Sequence, residues 1–285
     1  MEHPLISFII PCYGNWADNN PTLLERCLSS IHALHPSFTK EGEEWCQIIL
    51  SKEGDDLSSS RNIALDKAQG EYIQFVDADD YLFSSYSEII RILESERPDI
   101  VMFNTKECKC SGCDYMISHN LHGSACGYVF RKDLLGTLRF TPSIFHEDEE
   151  FTPQLIIKAQ KLIGTPLMPY CYVNTSNSIM TCHEEGHLTK RLNDMMLVLM
   201  NLKDERRERK DESVHCSGVE SKEHQALTRR VSQLTMDYLY NIFRLRRSEL
   251  RARISDLRHL DLYPLPLHRY TWKYLFFALC TRFYS

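Results

Sequence analysis

The sequence of 285 residues lacks a long apolar run. Its longest apolar run near either end, Leu275 to Cys280, is far shorter than the ~20 residues that a membrane-spanning helix needs. The segment from Met1 to Pro4 has no basic start followed by an apolar stretch, so no secretory signal is recognisable. Glycine and proline number only eleven each, which excludes collagen-like and low-complexity chains. These absences predict a globular, cytoplasmic protein.

Cysteine is frequent but unpatterned. The eleven cysteines are an odd number and are scattered along the chain, which favours reduced thiols over a disulfide framework. One cluster stands out, formed by Cys108, Cys110 and Cys113 and followed by His119 and His122. It is compatible with a zinc site or with a reduced surface loop, and the lack of a fourth ligand at a standard spacing favours the loop.

Charge divides the chain into two parts. Residues 1–187 carry a net charge of -13, whereas residues 188–285, with 19 basic and 12 acidic side chains, carry +7. The acidic part argues against nucleic acid as a partner and suits a divalent cation. The basic part is either a solvated helical surface or a face for an anionic membrane.

Short apolar runs alternate with helical spacing over the first hundred residues. Strands are predicted at 5–10, 47–50, 72–76 and 100–104, and helices at 21–34, 58–68 and 84–96. Residues 105–125 are predicted to be loop, and a helix is predicted from Thr152 and Pro153 to about Lys161. The alternation is typical of an α/β fold with a mainly parallel sheet flanked by helices. We expect such a domain over 1–187 and a helical extension over 188–285.

The sharpest local feature is the acidic group Asp77, Asp79 and Asp80, which follows the third predicted strand. Ligands of open α/β sheets bind beyond the carboxyl ends of the strands. Neighbouring carboxylates there repel one another unless a cation is close, and Mg²⁺ or Mn²⁺ prefers oxygen ligands of this type. The alternative is a solvated acidic turn.

Two further groups have both a structural and a chemical interpretation. The run from Glu147 to Glu150 either complements a helix dipole or supplies a general base. The segment from Ser58 to Asn62 either caps a helix or places Arg61 beside a diphosphate.

Taken together, these segments resemble family 2 glycosyltransferases with the GT-A (Rossmann-like) fold. The matching segments are 7–13, 59–65, 70–82 and 146–151, in the order of the family and within a resemblance that spans roughly residues 5–182. Asp77 and Asp79 match the D-x-D motif of the family, and Glu147 with Asp148 matches its E-D pair. The stretch from Ser178 to Met180 resembles one that follows the last strand in bacterial members.

The resemblance implies inverting transfer of a sugar from a nucleotide-diphosphate sugar to the hydroxyl of a glycan or lipid-linked acceptor. It also implies a role in bacterial polysaccharide or glycolipid synthesis. Asp148 would be the catalytic base, and Asp79 with Asp77 would hold Mn²⁺ or Mg²⁺. The donor-binding residues implied by the resemblance are Pro11, Tyr13, Arg61, Asp77 and Asp79.

One segment departs from the family pattern. Family members usually follow the second strand with an Asp-Asp-Gly-Ser stretch whose acid holds the nucleobase, whereas here the strand runs directly into residues 51–58. Asp55 or Asp56 could take the place of the acidic residue that holds the nucleobase. A weak or inactive glycosyltransferase-like interaction protein therefore stays open, as does a sugar nucleotidyltransferase. The latter requires a glycine-rich, basic phosphate loop near the first strand, which residues 11–17 do not supply.

The C-terminal end mixes aromatic and basic residues. Trp272, Tyr274 and Phe276 alternate with Arg269, Lys273 and Arg282. The tail either lies at a membrane interface, which would place the protein at the inner face of the membrane, or packs against the rest of the chain. His183 and His187 are either surface residues or neighbours of the diphosphate.

Overall fold

The computed structural model describes residues 3–34, 45–173, 185–217, 221–243 and 245–264, together with 275 and 279. The chain divides into two compact units, Met1–Tyr115 with His122–Cys182 and Met116–Leu121 with His183–Ser285. Several segments singled out in the sequence lie outside the described residues. These are Ser178 to Met180, His183, and the tail residues Arg269, Trp272, Lys273, Tyr274, Phe276 and Arg282.

A mixed seven-stranded sheet forms the centre of unit 1. The strands are β1 (Ile6–Pro11), β2 (Cys46–Ser51), β3 (Tyr72–Phe75), β4 (Tyr81–Leu82), β5 (Ile100–Met102), β6 (Cys108–Cys110), β7 (Tyr128–Arg131), β8 (Leu162–Gly164) and β9 (Tyr170–Cys171). The order in the large sheet is β2-β1-β3-β7-β5-β8-β6, and β4 pairs with β9 in a separate two-stranded sheet. Only β7 and β6 run against the other five strands of the large sheet. This arrangement confirms the predicted fold class.

Helices alternate with the strands along unit 1, and α2 and α4 follow the predicted apolar spacing. The helices that begin in unit 1 are α1 (Trp16–Asn19), α2 (Pro21–His32), α3 (Leu57–Lys67), α4 (Tyr86–Glu96), α5 (Gly112–Ser118) and α6 (Glu147–Ile156). Unit 2 contains the helices α7 (Glu185–Ser217), α8 (Lys222–Ile242) and α9 (Arg247–His259). Helix α4 buries Ile89, Ile90 and Leu93. In unit 2, α8 buries Leu227, Leu234 and other residues along one face.

Three local predictions are wrong. Residues 105–125 are not all loop, because they contain β6 and α5. Helix α6 begins at Glu147 rather than near Thr152, because His146 takes a left-handed conformation (φ 65°) immediately before it. The serines at 58–60 do not cap α3, because Asp56 accepts a hydrogen bond from the backbone of Ser59 and is the N-cap.

Aromatic packing ties the end of β3 to α6. The rings of Phe140 and Phe151 stack with their centres 3.9 Å apart. The ring of Phe75 in β3 packs edge-on against both, with centre-to-centre distances of 5.4 Å to Phe140 and 6.5 Å to Phe151. All three side chains are buried. This cluster holds the N-terminal part of α6 beside the carboxyl end of the strand, where the acidic residues begin.

Candidate active site

The acidic turn after β3 separates its three carboxylates by environment. The backbone N–H of Asp80 donates to the carbonyl of Asp77 at 3.0 Å, which closes the turn. The side chain of Asp77 is 36% exposed and that of Asp79 is partly exposed, whereas Asp80 is 4% exposed. Asp77 and Asp79 are therefore the accessible carboxylates, and they are the pair that matches the motif.

Asp80 anchors the turn to β9. Its carboxylate accepts hydrogen bonds from the Tyr170 hydroxyl and the Val173 N–H, both at 2.7 Å. Burial raises the pKa of Asp80 to about 7, although both hydrogen bonds oppose this shift. The same tyrosine hydroxyl accepts from the backbone N–H of Asp77 at 3.0 Å. Tyr170 thus fixes the turn at two points, the backbone of Asp77 and the carboxylate of Asp80.

Asp79 is held through its backbone. Its carbonyl accepts a hydrogen bond from Arg26 of α2 at 2.7 Å, and this guanidinium lies 4.9 Å from the centre of the Tyr81 ring. Burial, and then the nearby charge of Asp77, raise the pKa of the Asp79 carboxyl. A bound cation would relieve both effects, because it favours the ionised form.

Arg61 joins the two acidic segments. Its guanidinium donates to Glu147 at 2.7 Å and to Asp77 at 3.1 Å, and the residue is only 3% exposed. It also lies over the rings of Phe75 and Phe140, 5.7 and 5.2 Å from their centres. The structure therefore directs Arg61 to two carboxylates of the protein, a role that the sequence did not indicate.

Glu147 is a residue of the candidate site to which the sequence analysis gave no role of its own. It belongs to a run of four acids at the start of a helix, yet it is only 8% exposed because it pairs with Arg61. The available signal was its match to the first residue of the E-D pair.

Asp148 lies next to Glu147 in the first turn of α6. It is partly exposed, and one of its carboxylate oxygens accepts from the N–H of Glu149 at 2.9 Å. Because Arg61 bonds both Glu147 and Asp77, its single side chain connects the start of α6 to the acidic turn. The structure thus brings Asp148 and Asp77 to the same region.

Pro11 and Tyr13 lie at the carboxyl end of β1. Pro11 is buried opposite Ser51 of β2, Tyr13 is partly exposed, and Gly14 turns the chain with φ 63°. Because β1 and β3 are adjacent and parallel, this segment ends on the same sheet edge as Asp77. The intervening thiol of Cys12 is buried, which raises its pKa to about 12.

The two acids that could replace the missing nucleobase contact differ in their environment. Asp56 caps α3 with one carboxylate oxygen, and its other oxygen accepts from the backbone N–H and the hydroxyl of Ser143, at 2.7 and 3.1 Å. Asp55 is exposed.

In the part of the chain that the structure describes, no three or more His, Cys, Asp or Glu side chains form a cluster able to hold a metal ion. Cys108 and Cys110 lie on β6, while the Cys113 thiol donates to the carbonyl of Ile157. Two carboxylates are nevertheless enough for Mg²⁺ or Mn²⁺, since these ions keep several water ligands and bind substrate phosphates. Asp77 and Asp79 fit that requirement.

Comparison with known proteins gives a consistent result. Residues 37–151 match the family model described as glycosyl transferase family 2. The putative glycosyltransferase EpsH of Bacillus subtilis is 24% identical over 123 residues, which are 36% of this chain and 34% of the relative. The chain therefore aligns with about a third of that curated protein.

Two solved structures share the fold. S. aureus TarS 1-349 in complex with UDP-GlcNAc has a TM-score of 0.55 at 13% identity, with 90% of this chain and 89% of that chain covered. The mannosyltransferase PcManGT from Pyrobaculum calidifontis in complex with GDP-Man and Mn²⁺ has a TM-score of 0.50 at 15% identity, with 99% and 87% covered. Within the described residues, no helix is both long and apolar enough to cross a bilayer.

Proposed function

We propose that the chain is a family 2 glycosyltransferase that transfers a sugar from a nucleotide-diphosphate sugar to an acceptor hydroxyl with inversion. Support comes from the match of residues 37–151 to the family model, from the similarity to EpsH, and from the GT-A fold shared with TarS. The acceptor would be a glycan or a lipid-linked molecule in polysaccharide or glycolipid synthesis. The observation that carries the proposal is the Arg61 bridge, which joins the Asp77 turn to the helix start that bears Asp148.

The donor nucleotide would lie along the carboxyl edge of β1 and β3. Pro11 and Tyr13 would line the nucleobase side, and the diphosphate would face Asp77 and Asp79. Support comes from the fold neighbours TarS and PcManGT, which were solved with UDP-GlcNAc and with GDP-Man.

Asp79 and Asp77 would hold Mn²⁺ or Mg²⁺, the ion that PcManGT contains being Mn²⁺. When bound, the cation would neutralise the charge that develops on the leaving diphosphate. The residues of the chain prepare this site, because Tyr170 holds the Asp77 backbone and Arg26 holds that of Asp79.

Asp148 would accept the proton of the acceptor hydroxyl. A hydroxyl is a weak nucleophile until a base removes its proton, and a carboxylate in the first turn of a helix is stabilised in its ionised form by the dipole. The N–H of Glu149 fixes one oxygen of Asp148. A single displacement inverts the anomeric centre, so no covalent intermediate is needed.

Arg61 would act as a positioning residue. It is bonded to Asp77 and Glu147 and has little exposed surface for a substrate. Its contribution to donor binding would come through Asp77, whose carboxylate it orients.

Substitutions in the two acidic segments test the assignment of roles. Asp148→Asn should lower transfer by roughly 10²–10⁴-fold, because its amide cannot accept the proton, while donor affinity stays nearly unchanged. Asp79→Asn should instead weaken donor binding in calorimetry. Glu149→Gln, in the same helical turn, is the matched control. Near wild-type turnover in Asp148→Asn, with loss of turnover in Glu149→Gln, would show that the base is misassigned.

The metal requirement is tested separately. Calorimetry with UDP or GDP, in Mn²⁺ and then in excess EDTA, should show a marked loss of affinity on chelation. Equal affinity under both conditions would exclude a metal from donor binding.

A second candidate is a catalytically weak glycosyltransferase-like interaction protein. The observation that favours it is Asp56, whose carboxylate is occupied by a helix cap and by Ser143. Hydrolysis of a panel of nucleotide sugars with Mn²⁺ distinguishes the two, since an interaction protein would hydrolyse none of them.

A further inference from the structure

Tyr172, which directly follows the small sheet of β4 and β9, is an exposed aromatic residue beside the candidate active site. Tyr81 pairs with Cys171 and Leu82 with Tyr170, so side chains alternate between two faces. Leu82 and Tyr170 are buried on the face that meets Asp80, at 4% and 7% exposure. Tyr172 follows on the same face, with its ring 4.6 Å from that of Tyr170, yet it is 55% exposed.

Tyr172 is connected to both parts of the site. Through its ring contact it adjoins Tyr170, whose hydroxyl bonds the Asp77 backbone and the Asp80 carboxylate. Its own hydroxyl makes a 3.0 Å hydrogen bond with Ser124.

The Ser124 side of this connection leads to α6. The residue before Ser124, Gly123, accepts a hydrogen bond at 2.6 Å from Thr152 of that helix, which also carries Asp148. The exposed ring therefore lies on a series of contacts that connects the acidic turn at Asp77 to α6, the helix that carries Asp148.

We propose that Tyr172 is the stacking platform for a pyranose ring of the acceptor, an inference that rests on the proposed function. The face of an aromatic ring carries partial negative charge, so it attracts the polarised C–H groups of a sugar. The hydroxyl bond to Ser124 and the packing on Tyr170 fix the ring in advance, which lowers the entropy that binding must overcome.

The position of Tyr172 suits a sugar of the acceptor better than the sugar of the donor. The donor diphosphate is assigned to Asp77 and Asp79, and inversion requires the acceptor to approach from the opposite side, within reach of Asp148. A ring connected to the turn on one side and to α6 on the other can support a sugar in that approach.

The test uses the full chain with UDP-GlcNAc and GDP-mannose as donors, Mn²⁺, and a series of methyl glycosides as acceptors. Nucleotide release without glycoside measures hydrolysis and reports on the donor site alone. Stimulation of nucleotide release by glycoside measures the acceptor KM. Tyr172→Ala removes the ring, and Tyr172→Phe keeps the ring but not the Ser124 bond.

Phe83→Ala is the matched control, because Phe83 is 40% exposed and packs on Tyr81 at 5.4 Å, on the opposite face of the same small sheet. We expect Tyr172→Ala to raise the acceptor KM about tenfold with kcat and hydrolysis within about threefold of wild type, the effect of losing one aromatic contact. Phe83→Ala should stay within about twofold of wild type, and Tyr172→Phe, which keeps the aromatic face and loses the Ser124 bond, should raise the acceptor KM less than Tyr172→Ala does. If Tyr172→Ala does not fold, Tyr172→Leu takes its place. It keeps apolar volume without the aromatic face, so it should raise the acceptor KM in the same way.

Two results would overturn the platform while leaving the proposed function intact. One is an unchanged acceptor KM in Tyr172→Ala. The other is donor hydrolysis by the wild-type enzyme with no stimulation by any glycoside. Absence of hydrolysis with every nucleotide sugar would instead remove the proposed function itself, and the platform with it.

Discussion

At the scale of single residues, the buried guanidinium of Arg61 links the two acidic segments of the candidate site. Removing it leaves Asp77 and Glu147 as neighbouring carboxylates without their shared cation. Breaking a buried pair costs roughly 3–5 kcal/mol, and here the charge that stays desolvated is that of Glu147. We therefore expect Arg61→Ala to lower the free energy of unfolding by about that amount in urea denaturation.

The control for Arg61 is Arg139, which pairs with Asp66 at 2.7 Å but is exposed. Arg139→Ala should cost no more than about 1 kcal/mol, as surface pairs do. Equal losses in the two variants would mean that the Arg61 bridge does not hold the site together.

The sequence predicts the candidate residues unevenly, for a physical reason. Asp77, Asp79 and Asp148 belong to acidic runs next to strongly patterned segments, so their types and positions can be recognised locally. The pairing of Arg61 with Glu147 joins residues 86 positions apart, and a local pattern carries no information about such a contact. Whether these residues perform their assigned roles stays a prediction.

At the scale of elements, helix α3 depends on its cap. Asp56 accepts from the N–H of Ser59 at 2.7 Å, and its neighbour Asp55 is exposed. Asp56→Ala should lower the free energy of unfolding by about 0.5–2 kcal/mol, the usual effect of losing an N-cap. Asp55→Ala is the control in the same denaturation experiment, and a loss as large as that of Asp56→Ala would contradict the assignment of the cap.

The same cap predicts a pH dependence. Partial burial would raise the pKa of Asp56, but the hydrogen bonds from Ser59 and Ser143 outweigh it, and the net pKa is lowered. A carboxyl with a lowered folded-state pKa stabilises the fold above its unfolded pKa of about 3.9 and loses that effect as the pH falls through the folded value. The stability difference between wild type and Asp56→Asn, measured by urea denaturation from pH 7 to 3, should therefore shrink toward pH 3. A constant difference would contradict the assignment.

The elements that could be predicted are those whose own residues carry a pattern. Strands β1, β2, β3 and β5 are predicted from apolar runs, and helices α2, α3 and α4 from helical spacing or from capping and stop residues, with ends displaced by a few residues. β6 has three residues with an exposed lysine in the middle, and β4 and β9 have two residues each, so their pairing partners rather than their own patterns define them. The start of α6 depends on the left-handed conformation of His146, which an apolar pattern cannot predict.

At the scale of the whole molecule, the charge asymmetry suggests where the protein works. Residues 188–285 carry +7, while the part that bears the candidate site carries -13. Within residues 265–285 the structure describes Leu275 and Leu279, which are helical and 53% and 58% exposed. Exposed apolar side chains next to basic residues are typical of segments that lie in a membrane interface.

We therefore expect residues 262–285 to attach the protein to anionic membranes from the cytoplasmic side. In flotation assays, the full chain should rise with vesicles that contain an anionic lipid and stay in solution with purely zwitterionic ones. Binding should weaken as salt is raised, because the Debye length falls from about 10 Å at 0.1 M to about 3 Å at 1 M. The chain without 262–285 should lose most of the flotation but keep hydrolysis of nucleotide sugars, since the residues of the candidate site lie within 11–173. If both forms float equally, or if neither floats, attachment through residues 262–285 is contradicted. Loss of hydrolysis in the shortened chain would show that these residues serve the enzyme rather than the membrane.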